Sequence, residues 1–215
     1  MQFSFEYIIE ILPIILRGTV YTIEITLLSV LIANLWGLTI SVIRWMGIKG
    51  LTGFFNGYVT LVRNIPFVAF AFYGYYSLPS LGIILEPFKL GVLLLGLYYG
   101  AFIAEVYRGS ILAVDKGQLE AARILNLSKW KMVRVVILPQ IFVVSLPSLI
   151  NNLISAFKDS AYLGWITVRE MMWFAKNEGS LSFRMFEPFF LATLIYFLIS
   201  YPVALLGKAI ERRSA

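Results

Sequence analysis

The sequence predicts an all-α integral membrane protein with about five membrane-spanning helices. Hydrophobic residues make up 60% of its 215 positions and charged residues only 14%, whereas soluble domains average roughly 45–50% apolar residues. A soluble fold of this length would need more polar side chains to cover its surface. The apolar residues also form separate runs, and a run of about 20 residues is long enough to cross a bilayer as a helix.

Five apolar runs carry this prediction. The expected spans are residues 19–43, 53–76, 88–112, 135–157 and 188–206. A short amphipathic lead-in, interrupted by Pro13, precedes the first span, and a charged stretch from Asp115 to Arg134 separates the third from the fourth. We therefore expect one transmembrane domain over residues 1–215, with a short helix at the membrane surface over residues 117–128.

The distribution of basic residues predicts the orientation, because cytoplasmic loops of membrane proteins carry an excess of Lys and Arg. With the N-terminus outside, twelve basic residues lie on the inner side and five on the outer side, and Lys158 lies in the membrane. The inner residues are Arg44, Lys49, Arg63, Arg108, Lys116, Arg123, Lys129, Lys131, Arg134, Lys208, Arg212 and Arg213. We expect the N-terminus outside and the C-terminus in the cytoplasm.

Several classes of function are disfavoured by composition. The chain has no His and no Cys, which excludes thiolate, haem and imidazole metal sites as well as a Ser-His triad. Its net charge of +6 comes from residues flanking apolar runs, which does not favour nucleic-acid binding. No Gly-x-x-x-x-Gly-Lys-Ser/Thr sequence is present. We expect no enzyme activity and no bound cofactor, with any ATP and magnesium held by a partner.

The charged stretch has a specific residue order. Residues 117–140 read GQLEAARILNLSKWKMVRVVILPQ, in which Glu120 to Arg123 favour a helix and Asn126 and Ser128 provide stop and restart signals. The small Ala121 and Ala122 permit close approach by a partner. On composition alone, an interfacial loop that binds anionic lipid headgroups is an equally good interpretation.

The order of residues in this stretch favours contact with a partner protein over binding of lipid headgroups. Glu120-Ala121-Ala122, followed by Ile137-x-Pro139, resembles the cytoplasmic EAA loop of permease subunits in ATP-driven, binding-protein-dependent importers (ABC importers). That family has Gly where this chain has Asn126, and Asn is the next residue that tolerates a left-handed backbone. The resemblance implies that the ATPase contacts this helix; the residues implied are Gly117, Glu120, Ala121, Ala122, Arg123 and Asn126.

Further motifs resemble one branch of that family, the polar amino-acid permeases of the histidine, glutamate, glutamine, arginine and opine type. They are Arg17-Gly18-Thr19, Arg63-Asn64-Ile65-Pro66, Ala104-Glu105-Val106-Tyr107-Arg108-Gly109, Gly117-Gln118-Leu119-Glu120 and Lys158-Asp159-Ser160. After Lys-Asp the branch more often has Thr-Ser-Leu, and this chain has Ser160-Ala161-Tyr162-Leu163. The resemblance implies a MetI-like permease fold with a coupling helix between the third and fourth spans.

The same resemblance implies the partners. They are an ABC ATPase subunit, a second permease subunit that is either identical or homologous, an extracytoplasmic amino-acid-binding protein, the amino acid, and the lipid of a prokaryotic cytoplasmic (inner) membrane. A polar or basic amino acid is the expected substrate, and nucleic acid is not an expected partner.

Charged residues in spans cost about 2.5–3.5 kcal/mol each on insertion scales, so they usually have a role. Glu105 and Asp159 are candidates for a substrate pathway, together with Lys158, Arg108, Asn152 and Glu24. Arg108 lies three residues after Glu105 and can pair with it. The alternative is that these charges form ion pairs that fix helix packing.

Two other classes of function compete with the importer permease. A self-sufficient ion-coupled transporter or channel is disfavoured by the absence of an internal repeat and by the docking stretch. A membrane enzyme is disfavoured by the absence of His, Cys and a catalytic dyad.

Overall fold

The computed structural model describes residues 3–214, with side chains for residues 3–212, so the Arg213 side chain of the predicted basic tail lies outside the description. The described residues form helices joined by short turns and contain no strand. Within these described residues, four segments are long and apolar enough to cross a membrane, namely Phe5–Met46, Pro87–Leu112, Lys129–Ile166 and Phe186–Arg212. The all-α membrane fold is therefore confirmed.

The helices follow one another in a simple order. They are α1 (Phe5–Met46), α2 (Leu51–Arg63), α3 (Phe67–Ser80), α4 (Pro87–Leu112), α5 (Lys116–Ile124), α6 (Lys129–Met132), α7 (Leu138–Asp159), α8 (Met171–Ser182) and α9 (Phe186–Ser214). A π-helical segment, Val133–Ile137, joins α6 to α7, and a 3₁₀ segment, Ser160–Ile166, follows α7.

Two prolines have opposite effects on the expected spans. The span predicted at residues 53–76 is two shorter helices, because Pro66 has no N–H to donate and its ring disfavours a helical Ile65. Pro13, in contrast, lies inside α1, which continues through the predicted lead-in as one helix of 42 residues. Ile11 and Ile15 on either side of it are fully packed, and this packing compensates for the missing hydrogen bond.

The core is centred on the contact between α1 and α4. A Cβ atom at Gly37 would lie 2.8 Å from the Ala104 nitrogen, so the two backbones touch there. Ser41 donates its hydroxyl to the Ala104 carbonyl at 2.7 Å, and Tyr107 donates to Asn34 at 2.9 Å. Small residues and side-chain hydrogen bonds of this kind are how membrane helices associate, because lipid provides little hydrophobic driving force between them.

A second core cluster lies at the opposite end of the molecule, where α8 packs between the first part of α1 and α9. This end is called the α8 end below. The other end, where the last turn of α1 and the last turn of α4 meet α5 and α6, is called the α5 end.

Candidate functional site: the α5 surface and two charged cavities

Helix α5 is short and mostly exposed. Asp115 caps its N-terminus by accepting the Gln118 N–H at 3.1 Å, and the helix ends at Ile124 instead of continuing to residue 128 as predicted. Five of the six predicted contact residues are exposed, namely Gly117, Glu120, Ala121, Arg123 and Asn126. Ala122 is the exception, since it is only 3% exposed and packs inward. The predicted helix thus exposes Ala121, and not Ala122, on its outer surface.

The turn after α5 depends on Asn126. Its φ of 54° is in the left-handed region, and its N–H donates to the Arg123 carbonyl at 2.9 Å. Ser128 then caps α6 by accepting the Lys131 N–H at 3.3 Å. Asn is one of the few non-glycine residues that adopt this backbone at low cost, and Asn126 has the left-handed conformation that was expected of it at this turn.

Two hydrogen bonds join the α5 region to the spans. Gln140 in α7 donates to the Gln118 side chain at 2.8 Å, and the Lys129 ammonium donates to the Met46 carbonyl at 2.7 Å. Met46 is the last residue of α1, where a positive charge also interacts favourably with the helix dipole. Sequence reasoning assigned Lys129 only to the orientation count, because the approach of α6 to the end of α1 has no local signal.

Large apolar side chains surround this helix on the solvent side. Ile124 is 85% exposed, Leu125 72%, Leu112 68% and Trp130 61%. All four lie at the α5 end beside charged residues. Exposed apolar groups that are bordered by charges mark interaction surfaces.

Asp159 lies in a cavity between α4 and α7. The cavity has a volume of about 340 Å³ and is lined by Tyr98, Tyr99, Phe102, Asn152, Ser155, Lys158 and Asp159. Tyr99 donates its hydroxyl to one Asp159 oxygen at 2.8 Å. Asn152, which also lines the cavity, donates to the Ser148 carbonyl of its own helix at 2.8 Å. Three of the six predicted pathway residues, Asp159, Lys158 and Asn152, share this cavity.

Glu105 lies in a different cavity, of about 510 Å³, on the α2 side of α4. One of its oxygens accepts from Arg44 at 2.6 Å, and the other accepts from the Nε of Arg108 at 2.8 Å and faces its Nη2 at 2.7 Å. Arg63 approaches the second oxygen at 3.9 Å. Glu105 and Arg108 therefore pair as their spacing predicts, and Arg44 in α1 and Arg63 in α2 complete a cluster that links three helices.

Sequence reasoning missed the roles of Arg44 and Arg63. The orientation count placed Arg63 on the inner side although the expected span at residues 53–76 includes it, so a charge within a span was an available signal. Glu24, in contrast, is exposed on α1 and lines neither the Glu105 cavity nor the Asp159 cavity. The six predicted pathway residues therefore divide between two cavities and one exposed position.

Glu170 is a buried carboxyl that the sequence analysis did not single out. It is 0% exposed and caps α8 by accepting the N–H groups of Met172 at 2.9 Å and Trp173 at 2.7 Å. Tyr196 of α9 donates to it at 3.2 Å, and the Thr22 hydroxyl of α1 lies 3.5 Å away. Burial raises the pKa of the Glu170 carboxyl to about 8, although these hydrogen bonds lower it in part. An acidic residue directly before an apolar helix was its only sequence signal.

A metal site has no support within the described residues, where no group of three Asp, Glu, His or Cys side chains is placed to hold an ion. The charged side chains that line both cavities can pair with groups of opposite charge. A helical membrane protein whose spans enclose polar, charged cavities has the construction of a transport component.

Comparisons with known proteins agree with this class. A family model for the inner membrane component of binding-protein-dependent transport systems matches residues 49–215. The chain is 35% identical to a probable amino-acid ABC transporter permease protein, y4tG, of Sinorhizobium fredii, over 95% of this chain and 89% of the relative. It is 31% identical to the arginine transport system permease protein ArtQ of Bacillus subtilis, over 99% and 98%.

A solved structure is also similar. The crystal structure of an amino acid ABC transporter with histidines contains a chain that matches with a TM-score of 0.89 and 31% identity, over 99% of this chain and 100% of that one. The chain belongs to the family of inner-membrane components of binding-protein-dependent transport systems. The resemblance that the motifs indicated is confirmed, and these relatives are in the predicted amino-acid branch.

Proposed function

We propose that the chain is the membrane-spanning subunit of an ATP-driven amino-acid importer, and that two such subunits form the translocation pathway. In this proposal α5 binds a separate ATPase subunit at the cytoplasmic side, and an extracytoplasmic binding protein delivers the amino acid at the α8 end. The proposal is supported by family membership and by the amino-acid permeases among the relatives. The distribution of basic residues supports the orientation.

One observation supports the proposal that α5 couples the ATPase to the membrane helices. Helix α5 exposes Glu120, Ala121 and Arg123 on a surface that is joined to α7 through Gln118 and Gln140. Because Lys129 also binds the end of α1, a force applied to α5 acts on two membrane helices at once. ATP-driven closure of two ATPases therefore moves the spans between inward-open and outward-open arrangements.

The Asp159 cavity is the proposed substrate contact. A carboxylate in a partly apolar cavity binds an ammonium or guanidinium group well, and the aromatic walls of Tyr98, Tyr99 and Phe102 add favourable contact with a cation. We infer a polar or basic amino acid as substrate. Asp159→Asn keeps the shape of the side chain and removes its charge, so we expect it to weaken binding of cationic amino acids while the complex stays assembled.

One experiment tests the importer assignment. The tagged chain is purified together with the products of neighbouring genes, and ATP hydrolysis is measured with each of the twenty amino acids. We expect an ATPase to co-elute and one or a few polar or basic amino acids to stimulate it. Ala121→Trp should prevent co-elution, whereas Ser180→Trp, an exposed position at the α8 end, should not. Co-elution that is unaffected by Ala121→Trp would exclude α5 as the contact.

A further inference from the structure

The cluster around Glu105 has an excess of positive charge. Three guanidinium groups, of Arg44, Arg63 and Arg108, surround one carboxylate, which leaves a formal charge of +2 in a cavity that also contains Phe102 and Asn64. Uncompensated charge near membrane helices is costly. An arrangement with this excess is stabilised when a further anion enters the cavity.

Arg63 is the member of the cluster that is positioned to bind that anion. Both Glu105 oxygens already have guanidinium donors at 2.6–2.8 Å from Arg44 and Arg108, whereas Arg63 remains at 3.9 Å. Among residues 3–212 the Arg63 guanidinium has no hydrogen-bond acceptor, and it lies over the Phe102 ring at 5.6 Å from the ring centre. Its side chain is 43% exposed. An arginine with unoccupied donors presents a planar fork that matches a carboxylate.

Phe102 is common to the linings of this cavity and the Asp159 cavity. A basic cavity and a carboxylate-containing cavity therefore meet at one aromatic side chain. A zwitterionic amino acid has a carboxylate at one end and an ammonium or guanidinium group at the other. The Glu105 cavity has an excess of guanidinium groups that suits the carboxylate of such a molecule, and in the Asp159 cavity, which also contains Lys158, the Asp159 carboxylate can pair with its cationic end.

We propose that Arg63 binds the α-carboxylate of the transported amino acid, so that the site requires a free carboxylate as well as a cationic group. This inference rests on the proposed transport of amino acids and names a second, anionic contact for the same substrate. The pairing of Glu105 with Arg44 and Arg108 holds the cluster in place and prevents Glu105 from neutralising Arg63.

The test is equilibrium binding to the purified permease–ATPase complex without the binding protein, which would apply a selectivity of its own. Two pairs of probes differ only in the carboxylate, namely L-arginine with agmatine and L-glutamine with 4-aminobutanamide. We expect the wild-type complex to bind at least one amino acid about 10-fold or more tightly than its decarboxylated partner. Arg63→Gln should remove this preference without weakening binding of the amine, and Arg63→Lys should restore part of it.

Lys89→Gln is the matched control, because Lys89 is 71% exposed in an ion pair with Glu86 at the α8 end; it should retain the wild-type preference. The inference is overturned if Arg63→Gln weakens amino acid and amine equally, which indicates a packing role, or if it changes neither. It is also overturned if the wild-type complex binds neither amino acid. In that case the ATPase screen over twenty amino acids decides separately whether the proposed importer function stands.

Discussion

Replacing Glu170 by glutamine is expected to remove a pH dependence of stability that the wild-type protein shows between about pH 4.5 and pH 8. The unfolded chain releases the Glu170 proton near the ordinary pKa of 4.5, whereas burial raises the pKa in the folded protein to about 8. Between these values the folded state holds a proton that the unfolded state has released. The contribution of Glu170 to the free energy of unfolding is therefore fully present below pH 4.5. It falls by about 1.4 kcal/mol per pH unit between pH 4.5 and pH 8, and above pH 8 it is lost.

The stability that Glu170→Gln loses through weaker helix capping is smaller than this pH-dependent change. A glutamine amide oxygen can accept one of the two N–H groups that Glu170 now accepts, from Met172 and Trp173, so about 1 kcal/mol of helix capping is lost. We therefore expect Glu170→Gln to be less stable than wild type at pH 5 and to gain relative to wild type at each higher pH. Since the chain contains no His, few other side chains titrate in this range.

The assay is thermal unfolding of the detergent-solubilised protein at pH 5, 6, 7 and 8, with the difference in melting temperature between wild type and variant as the readout. Glu6→Gln, at an exposed position in the first turn of α1, is the control and should follow wild type throughout. Parallel profiles for wild type and Glu170→Gln would refute the reasoning, because they would mean that Glu170 is ionised in the folded protein over the whole range.

Three further predictions concern the packing of α1 against α4, the backbone at Asn126 and the charged cluster around Glu105. Gly37→Ala places a Cβ atom 2.8 Å from the Ala104 nitrogen and should cost about 1–3 kcal/mol of stability, whereas Gly57→Ala, with open space around it, should not lower the melting temperature. Asn126→Gly should be neutral and Asn126→Val should cost about 1–2 kcal/mol, because φ is 54° there; equal melting temperatures would contradict this. Glu105→Ala leaves three guanidinium groups without their carboxylate and should destabilise by up to about 3 kcal/mol, and unchanged thermal unfolding would show that the cluster is not structural.

Much of the fold followed from residue patterns because hydrophobic length is a strong constraint in a bilayer. The left-handed turn at Asn126 was also predictable, since few residues adopt that conformation. The effects of Pro13 and Pro66 were not, because whether a proline breaks a helix depends on the packing around it. Ile11 and Ile15 stabilise the helix at Pro13, whereas the chain breaks between α2 and α3 at Pro66.

The candidate site was predictable only in part. The pairing of Glu105 with Arg108 follows from their spacing on one helix. The contributions of Arg44 and Arg63 depend on how α1 and α2 pack against α4, which no local pattern encodes. The inward position of Ala122 has the same origin, because the two adjacent alanines differ only in which side of α5 faces the protein.

The most direct test of the central claim is uptake of a radiolabelled amino acid into proteoliposomes that contain this chain, its co-eluting ATPase and its binding protein. The amino acid used is the one that most strongly stimulates ATP hydrolysis. Our account predicts uptake only when ATP is present on the α5 side, with loss of uptake in Ala121→Trp. Uptake by this chain alone, without ATP or an ATPase, would contradict it.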